Sequence, residues 1–535
     1  MTHILSFILF LPIAALIILL TLPKKWVLVF KIITAVFSFA QLLLVLYAVC
    51  LLPDNASYAY TEKFSWLNFN VGSFGKINIE YFVAMDGLSG SMALLSSIVM
   101  FIASLSSFEI KRNVKAYFIL FNILSMAIMG VFLSLDFFLF YVFYELMLLP
   151  LYFLIGIWGG SNREYASIKF FLYTLFGSVF MLLVMVAMYF SVHTPDSTNH
   201  TFNMLHMMNP ENYISDSMLS PQNSTSLLGI PIRFIAFIVL FIGFAIKIPI
   251  VPFHTWLPDA HVEAPTPISI VLAGILLKVG GYAIIRICYG IFPDAAIEYS
   301  YWLGLLGMIS IIYGALNALN AEDFKRMIAY SSISHMGFVL IGIASFNAEG
   351  MNGAVFQMFS HGILSSMLFF IVGILYTRVH DRNMGSFRGL AQQMPLYTVF
   401  VSIAFFASLG LPGLSGFIGE AFTLFGAFIS SSNTHMLPKW IAVVSVFGIL
   451  LGAAYFLQAL QKMFFGEKRF KLASWDHKLK DLNLLEIIVL SSLALSTLAL
   501  GIYPNLLFKL SDNAMNYVIE HGLKNGYTML YYINQ

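Results

Sequence analysis

The chain has 535 residues, 59% of them hydrophobic and only 10% charged. Soluble domains carry about 25% charged residues, so this composition cannot cover a water-facing surface and marks an integral membrane protein. The net charge of +2 says nothing about nucleic acid, but the sequence has no clustered basic groove interleaved with aromatics; the two distant cysteines, Cys50 and Cys288, with no CxxC pair, speak against an iron–sulfur cluster or a structural zinc.

The chain also contains no GxGxxG and no GxxxxGK, the glycine-rich loops that cradle nucleotides. Any redox centre or nucleotide therefore belongs to a partner chain.

A helix needs about 20 apolar residues to cross the hydrocarbon layer. The sequence predicts helices 1 to 14 at 4–22, 27–51, 84–108, 115–134, 136–157, 166–192, 230–250, 265–290, 300–319, 327–345, 352–377, 395–429, 438–462 and 484–505. The fold class is all-α and polytopic. The runs are long and lack barrel-type alternation, so strands are not expected. In the first run Lys24 and Lys25 follow the apolar stretch instead of preceding it, which reads as a retained helix and not as a signal peptide.

The basic residues gather on alternate connections. They are Lys24 and Lys25; Lys111, Arg112 and Lys115; Arg163 and Lys169; Lys325 and Arg326; Arg378, Arg382 and Arg388; and a final group from Lys462 to Lys480. The other connections hold almost none. By the positive-inside rule the basic side is cytoplasmic, so both termini face outward. The segments 191–229 and 506–535 are the main exposed stretches expected.

Helices 4–8 and 9–13 read as two groups of five, inverted relative to each other because five is odd. The fourth member of each is interrupted, by "KIPIVPFHTWLP" in helix 7 and by "LGLPGLSGFIGE" in helix 12. Matching breaks in two halves of a transporter point to its path. The domains expected are 1–112, 113–290 for the first repeat, 298–466 for the second, and 467–535.

Few ionisable residues lie deep in these spans. They are Glu145 in helix 5, Lys247 at the helix 7 break, Lys278 in helix 8, His335 in helix 10, His361 in helix 11 and Glu420 after the helix 12 break. A charge at the bilayer centre costs roughly 3 kcal/mol on insertion scales, so each needs a partner or a use. A buried Lys–Glu pair has two competing protonation patterns close in energy, and histidine suits relay because neutral imidazole donates at one nitrogen and accepts at the other. Prolines free backbone carbonyls that hydrocarbon cannot satisfy, so each break is expected to face water, beside Lys247 and near Glu420. A static Glu145–Lys247 ion pair, and histidines that only bond across helices, fit the same residues. His254 and His261 fall in the polar break and read as structural or near the surface; Glu109 and Asp136 read as interfacial, and Arg286 as lying near the outer end of helix 8.

Three ordered motifs, "KIPIVPFHTWLPDAHVEAPTPISIVLAGILLKVGGYAIIR", "NAEDFKRMIAYSSISHMGF" and "ASLGLPGLSGFIGE", closely resemble the signatures of the antiporter-like subunits of respiratory complex I, the proton-translocating NADH:quinone oxidoreductase. Within that family the chain looks most like the M type, subunit 4 in mitochondria: it has His261 and Val262, and Glu420 where the L and N types usually have lysine, and its tail is too short for the long lateral helix of the L type. The resemblance implies that Glu145 and Lys247 form an input pair, that Lys278 carries the central proton, that His335 and His361 relay it, and that Glu420 is the output. It implies no cofactor in this chain. NADH, FMN, iron–sulfur clusters and quinone would sit on partner subunits, and membrane subunits resembling L and N would be neighbours. A bacterial inner membrane is expected before a mitochondrial or thylakoid one. Multisubunit sodium/proton antiporters and membrane-bound hydrogenases share these motifs, and a structural spacer without its own proton path is a third reading.

Overall fold

The computed structural model describes residues 3–53, 58–70, 76–195, 199–223, 225–434 and 436–533. Among these, 12 helices are long and apolar enough to cross a membrane. The two expected runs missing from that number are helices 7 and 12, because both are broken. Helix 7 is Ile232–Lys247, followed after a proline-containing turn by Trp256–Glu263; helix 12 is Pro395–Ser408 followed by Ser415–Asn433.

Burial is graded across the bundle. Helix 8 (Thr266–Tyr289) and helix 11 (Ala348–Val379) are wholly enclosed along their apolar stretch, and helix 10 (Phe324–Ala344) nearly so, whereas helix 1 (Ile4–Thr21), helix 2 (Val27–Cys50) and helix 14 (Leu484–Ile502) keep most of that surface open. Polar residues on helices 8, 10 and 11 therefore face protein, not lipid.

Three expectations are corrected. A β-hairpin, Ala59–Asn70 paired antiparallel with Lys76–Met85, joins helix 2 to helix 3 (Gly87–Ser106). Its strands lie mostly outside the apolar runs, where the absence of barrel-like alternation carried no information. The hairpin has a use: buried Glu62 accepts from the backbone N–H groups of Leu5 and Ser6 at 2.9 and 3.2 Å. It thus caps helix 1, whose N-cap residue His3 supplies no side-chain cap.

The second correction is the tail. Residues Asn505–Ile533 form one helix, with Leu507, Ser511, Ala514, Met515, Val518 and Met529 buried. Those positions recur every three or four residues, the helical stripe. The stripe packs across helix 3, helix 9 (Pro293–Leu319) and helix 11, so the tail is a docked element and not an exposed one. The third is 191–229. Its described residues include buried Phe202, Met204, Met207 and Leu219, and the segment folds over the end of the bundle opposite the basic loops.

That end is held by two buried ion pairs. Arg233 donates to Asp294 at 2.8 Å and to the carbonyls of Leu219 and Ile291. Arg286 meets Asp86 at 2.5 Å, while Asp86 also caps helix 3 through Ser89. Arg286 thus lies toward the outer end of helix 8 as expected, but deeply buried and paired. Asp136, expected at an interface, is buried as the N-cap of helix 5 (Phe137–Leu146 and Leu148–Trp158).

Candidate functional site

The helix 12 break builds the clearest part of the site. The carbonyl of Ser408 would accept from the N–H four residues on, but that residue is Pro412, which has none. His335 takes its place, with Nε2 3.1 Å from the Ser408 oxygen. The same nitrogen lies 3.4 Å from the Glu420 Oε1. With two acceptors beside it, Nε2 carries the proton of a neutral ring and Nδ1 is left as the acceptor. Gly410, at φ +81°, makes the turn, and its missing Cβ leaves room for the Glu420 carboxylate.

The line of polar residues continues through helix 11. The rings of His335 and His361 are 5.3 Å apart between centroids, and His361 Nδ1 is 2.7 Å from the Lys278 Nζ. Between His335, His361 and Glu420 lies a cavity of about 10 Å³, also lined by Gln357 and Ser408. Buried His335 Nδ1, Gln357 Oε1 and Ser408 Oγ have no hydrogen-bond partner. Such a space has roughly the size of one water molecule and three polar groups to hold it. The structure thus brings Lys278, His361, His335 and Glu420 into one contiguous line.

Lys278 owes its position to an irregularity in helix 8. Residues Leu272–Leu276 are π-helical, a widening frequent at functional sites. The Ala273 carbonyl, five residues back, accepts from the Lys278 ammonium. Glycines beyond it bring the neighbours close: a Cβ on Gly280 would meet the backbone nitrogen of Ile248 at 2.6 Å, and one on Gly281 the Met358 sulfur at 2.5 Å. Helix 8 is therefore wedged between the helix 7 break and helix 11.

At the helix 7 break the backbone is satisfied from within. Pro249 cannot donate, and the N–H of Ile250 reaches back to Ala245 at 3.0 Å. The Ile246 carbonyl, left over, accepts from the Trp256 indole at 2.8 Å. The expected water-facing carbonyl is thus met by protein at this position.

Glu145 and Lys247 are less intimate than the sequence reading had them. Their charges act on each other, but they form no direct ion pair; Lys247 Nζ and Glu145 Oε1 lack hydrogen-bond partners. The ammonium instead lies 4.5 Å above the ring of Tyr144, a cation–π contact. Lys247 is fully buried while Glu145 keeps partial exposure.

His261 is the residue the sequence reading missed. It sits on the short Trp256–Glu263 helix, fully buried, stacked 4.4 Å from the Phe369 ring, with neither ring nitrogen partnered. The charges of Lys325 and Lys278 both reach it. Lys325 is itself buried and donates to the Ala264 carbonyl at 2.6 Å. A cavity of about 240 Å³ beside Lys325 and Glu263 opens at the basic end of the bundle. The motif "LPDAH" was visible, but its break masked a helix that turns this histidine inward. His254 also lies buried, edge-on to Tyr313.

The model of the family described as NADH:quinone oxidoreductase/Mrp antiporter, transmembrane, matches residues 134–452. The chain belongs to this family. It is 41% identical over 454 residues to NADH-quinone oxidoreductase subunit M of Rickettsia prowazekii, covering 84% of each. It is 37% identical over 533 residues to subunit M of Rhodobacter capsulatus, covering 97% of each. Among solved structures, a chain of respiratory complex I from Thermus thermophilus superposes with a TM-score of 0.79 at 28% identity, over 97% of this chain and 99% of that one. The matched stretch holds both breaks and all six expected site residues.

Proposed function

We propose that this chain is the M-type membrane subunit of a proton-translocating NADH:quinone oxidoreductase, embedded as a multi-pass protein in a bacterial inner membrane. It moves protons along its buried charges while quinone is reduced elsewhere in the complex. The observation that carries this reading is the closely spaced line Lys278–His361–His335–Glu420, in a chain whose relatives are subunits of that enzyme.

Contacts support the roles of Lys278, His361, His335 and Glu420. Lys278 and His361 share a proton across a 2.7 Å contact. His335, held by Ser408, hands it on to Glu420, with a bound water in the small cavity completing the geometry. Glu145 and Lys247 act at a distance: a change in the charge of Glu145 alters how well Lys247 holds its proton, without contact between them. His261 takes up protons from the basic, cytoplasmic side and passes them toward Lys278. Two inverted five-helix units, 113–290 and 298–466, each with its broken helix, frame the path, and both termini face outward. NADH, FMN, iron–sulfur clusters and quinone belong to partner subunits, and subunits resembling L and N flank this one.

The test is Lys278→Ala in the assembled complex, reconstituted in vesicles. NADH-driven proton uptake should fall several-fold, together with or more than NADH oxidation. Unchanged oxidation and unchanged protons per NADH would instead make the chain a spacer. The family's description also includes Mrp antiporters. Sodium-coupled transport without NADH-dependent quinone reduction in the purified complex would assign the chain to that branch.

A further inference from the structure

Between helices 2 and 14 the bundle leaves a cleft of about 890 Å³. Helix 2 packs on helix 3, and helix 14 packs on helices 11 and 12; the cleft is the space between those pairs. Leu46 and Val49 form one wall, Ala499 and Leu500 the other, and Phe359 and Ile363 of helix 11 close the back. All of these lie on apolar, membrane-length helices. The C-terminal helix forms the roof, at the end opposite the basic loops.

We propose that this cleft holds a phospholipid of that leaflet, with its acyl chains between helices 2 and 14 and its phosphate at Lys509. The roof has the right chemistry at the right depth. Lys509, Asn513, Asn516 and Tyr517 line the cleft at offsets of four, seven and eight, one face of a helix. Lys509 has no ion-pair partner among the described residues, while Asp86, the acidic group nearest the back, is committed to Arg286. Glu520, the remaining charge at the rim, stands eleven residues from Lys509, roughly 16 Å along the helix axis. Asp512, one turn along, accepts from Asn352 at 3.0 Å and forms no ion pair with Lys509, so the headgroup position carries an unpaired positive charge.

The roof favours a headgroup over a helix from a neighbouring subunit, because Lys509, Asn513 and Asn516 set a cation and two amides above apolar walls. Acyl chains fit an irregular slot because they bend. Phe359 and Ile363 bracket His361 in sequence, so the chains would lie directly behind the relay and keep water from its lateral side.

The experiment uses the intact complex in nanodiscs containing phosphatidylglycerol with a photoreactive diazirine in one acyl chain. After illumination, adducts should concentrate on peptides holding Leu46, Ile98 and Ala499. They should fall several-fold in Ala499→Trp, which fills the slot, and in Lys509→Glu, which reverses the headgroup charge, with NADH oxidation unchanged. Leu46→Trp on the opposite wall gives the same test should Ala499→Trp fail to assemble. Adducts spread evenly over outward residues such as Leu43 and Leu495, or insensitive to the wall variants, would overturn the proposal. So would protein–protein cross-links from a photoreactive residue at position 46 to a neighbouring subunit in place of lipid adducts.

Discussion

At the scale of single residues, the site is a set of groups given one partner fewer than they can use. Lys247 has a ring face but no acceptor, His261 has no partner on either nitrogen, and His335 has one nitrogen engaged and one free. A buried polar group without a partner costs about 1–3 kcal/mol, and such groups cluster here along the proposed proton path. Because Glu145 acts on Lys247 without touching it, Glu145→Gln should leave assembly intact and still reduce proton pumping several-fold; normal NADH-driven pumping would remove Glu145 from the switch. Lys247→Arg should also impair pumping, since arginine stays protonated. Outside the spans, Asp136 gives a pH-dependent test. Burial pushes its carboxyl up to about 7, against backbone hydrogen bonds from Leu139 and Glu80 that pull the other way. A raised carboxyl favours the folded state only while protonated, so the charged form imposes a penalty that is absent below about pH 4 and complete above about pH 7. Asp136→Asn keeps an oxygen for the Leu139 N–H and removes the charge. The thermal midpoint of the solubilised complex should therefore decline less between pH 5 and 8 in the variant than in the parent; an identical decline would place the titration elsewhere.

At the scale of elements, the two breaks solve one problem in different ways. Each proline removes a donor from a membrane helix. In helix 12 the orphaned Ser408 carbonyl is given to His335, the proposed relay residue; in helix 7 the orphaned Ile246 carbonyl is given to Trp256, a residue outside the proposed path. Trp256→Phe keeps the ring volume and removes that donor, leaving the carbonyl unpaired in a medium without water. The expected cost is about 1–3 kcal/mol, seen as a lower thermal midpoint and a lower yield of assembled complex; an unchanged midpoint would mean that another group had replaced the indole. The breaks and the long apolar runs were legible in the sequence because proline and hydropathy act locally. So were Lys278, His335, His361 and Glu420, because a charge or imidazole inside an apolar run is conspicuous. His261 was not legible: it stands among polar residues, and only the turn at Pro265 brings its short helix back into the interior. The hairpin and the C-terminal helix escaped for a related reason. Their polar faces dilute the apolar signal, and what fixes them is the surface they land on.

At the scale of the whole molecule, the relay is insulated by closing one end of the bundle with parts distant in sequence. Arg233 at the start of helix 7 binds Asp294 at the start of helix 9, the carbonyls of Leu219 and Ile291, and the sulfur of Met529 in the C-terminal helix. One guanidinium thus ties the folded 199–223 segment, helices 7 and 9 and the tail together. Both charges are buried, so removing one strands the other. Arg233→Leu should cost about 3–5 kcal/mol and sharply reduce the amount of assembled complex. The double substitution Arg233→Leu with Asp294→Leu leaves no charge behind, and it should recover much of that loss even though the clasp is gone. A double variant no better than the single one would mean that the carbonyl and sulfur contacts, not the ion pair, dominate. Protons pumped per NADH oxidised should stay unchanged in whatever complex does assemble, because none of these atoms touches the line from Lys278 to Glu420. A fall in that ratio would show instead that closing this end of the bundle is part of proton transfer and not only of folding.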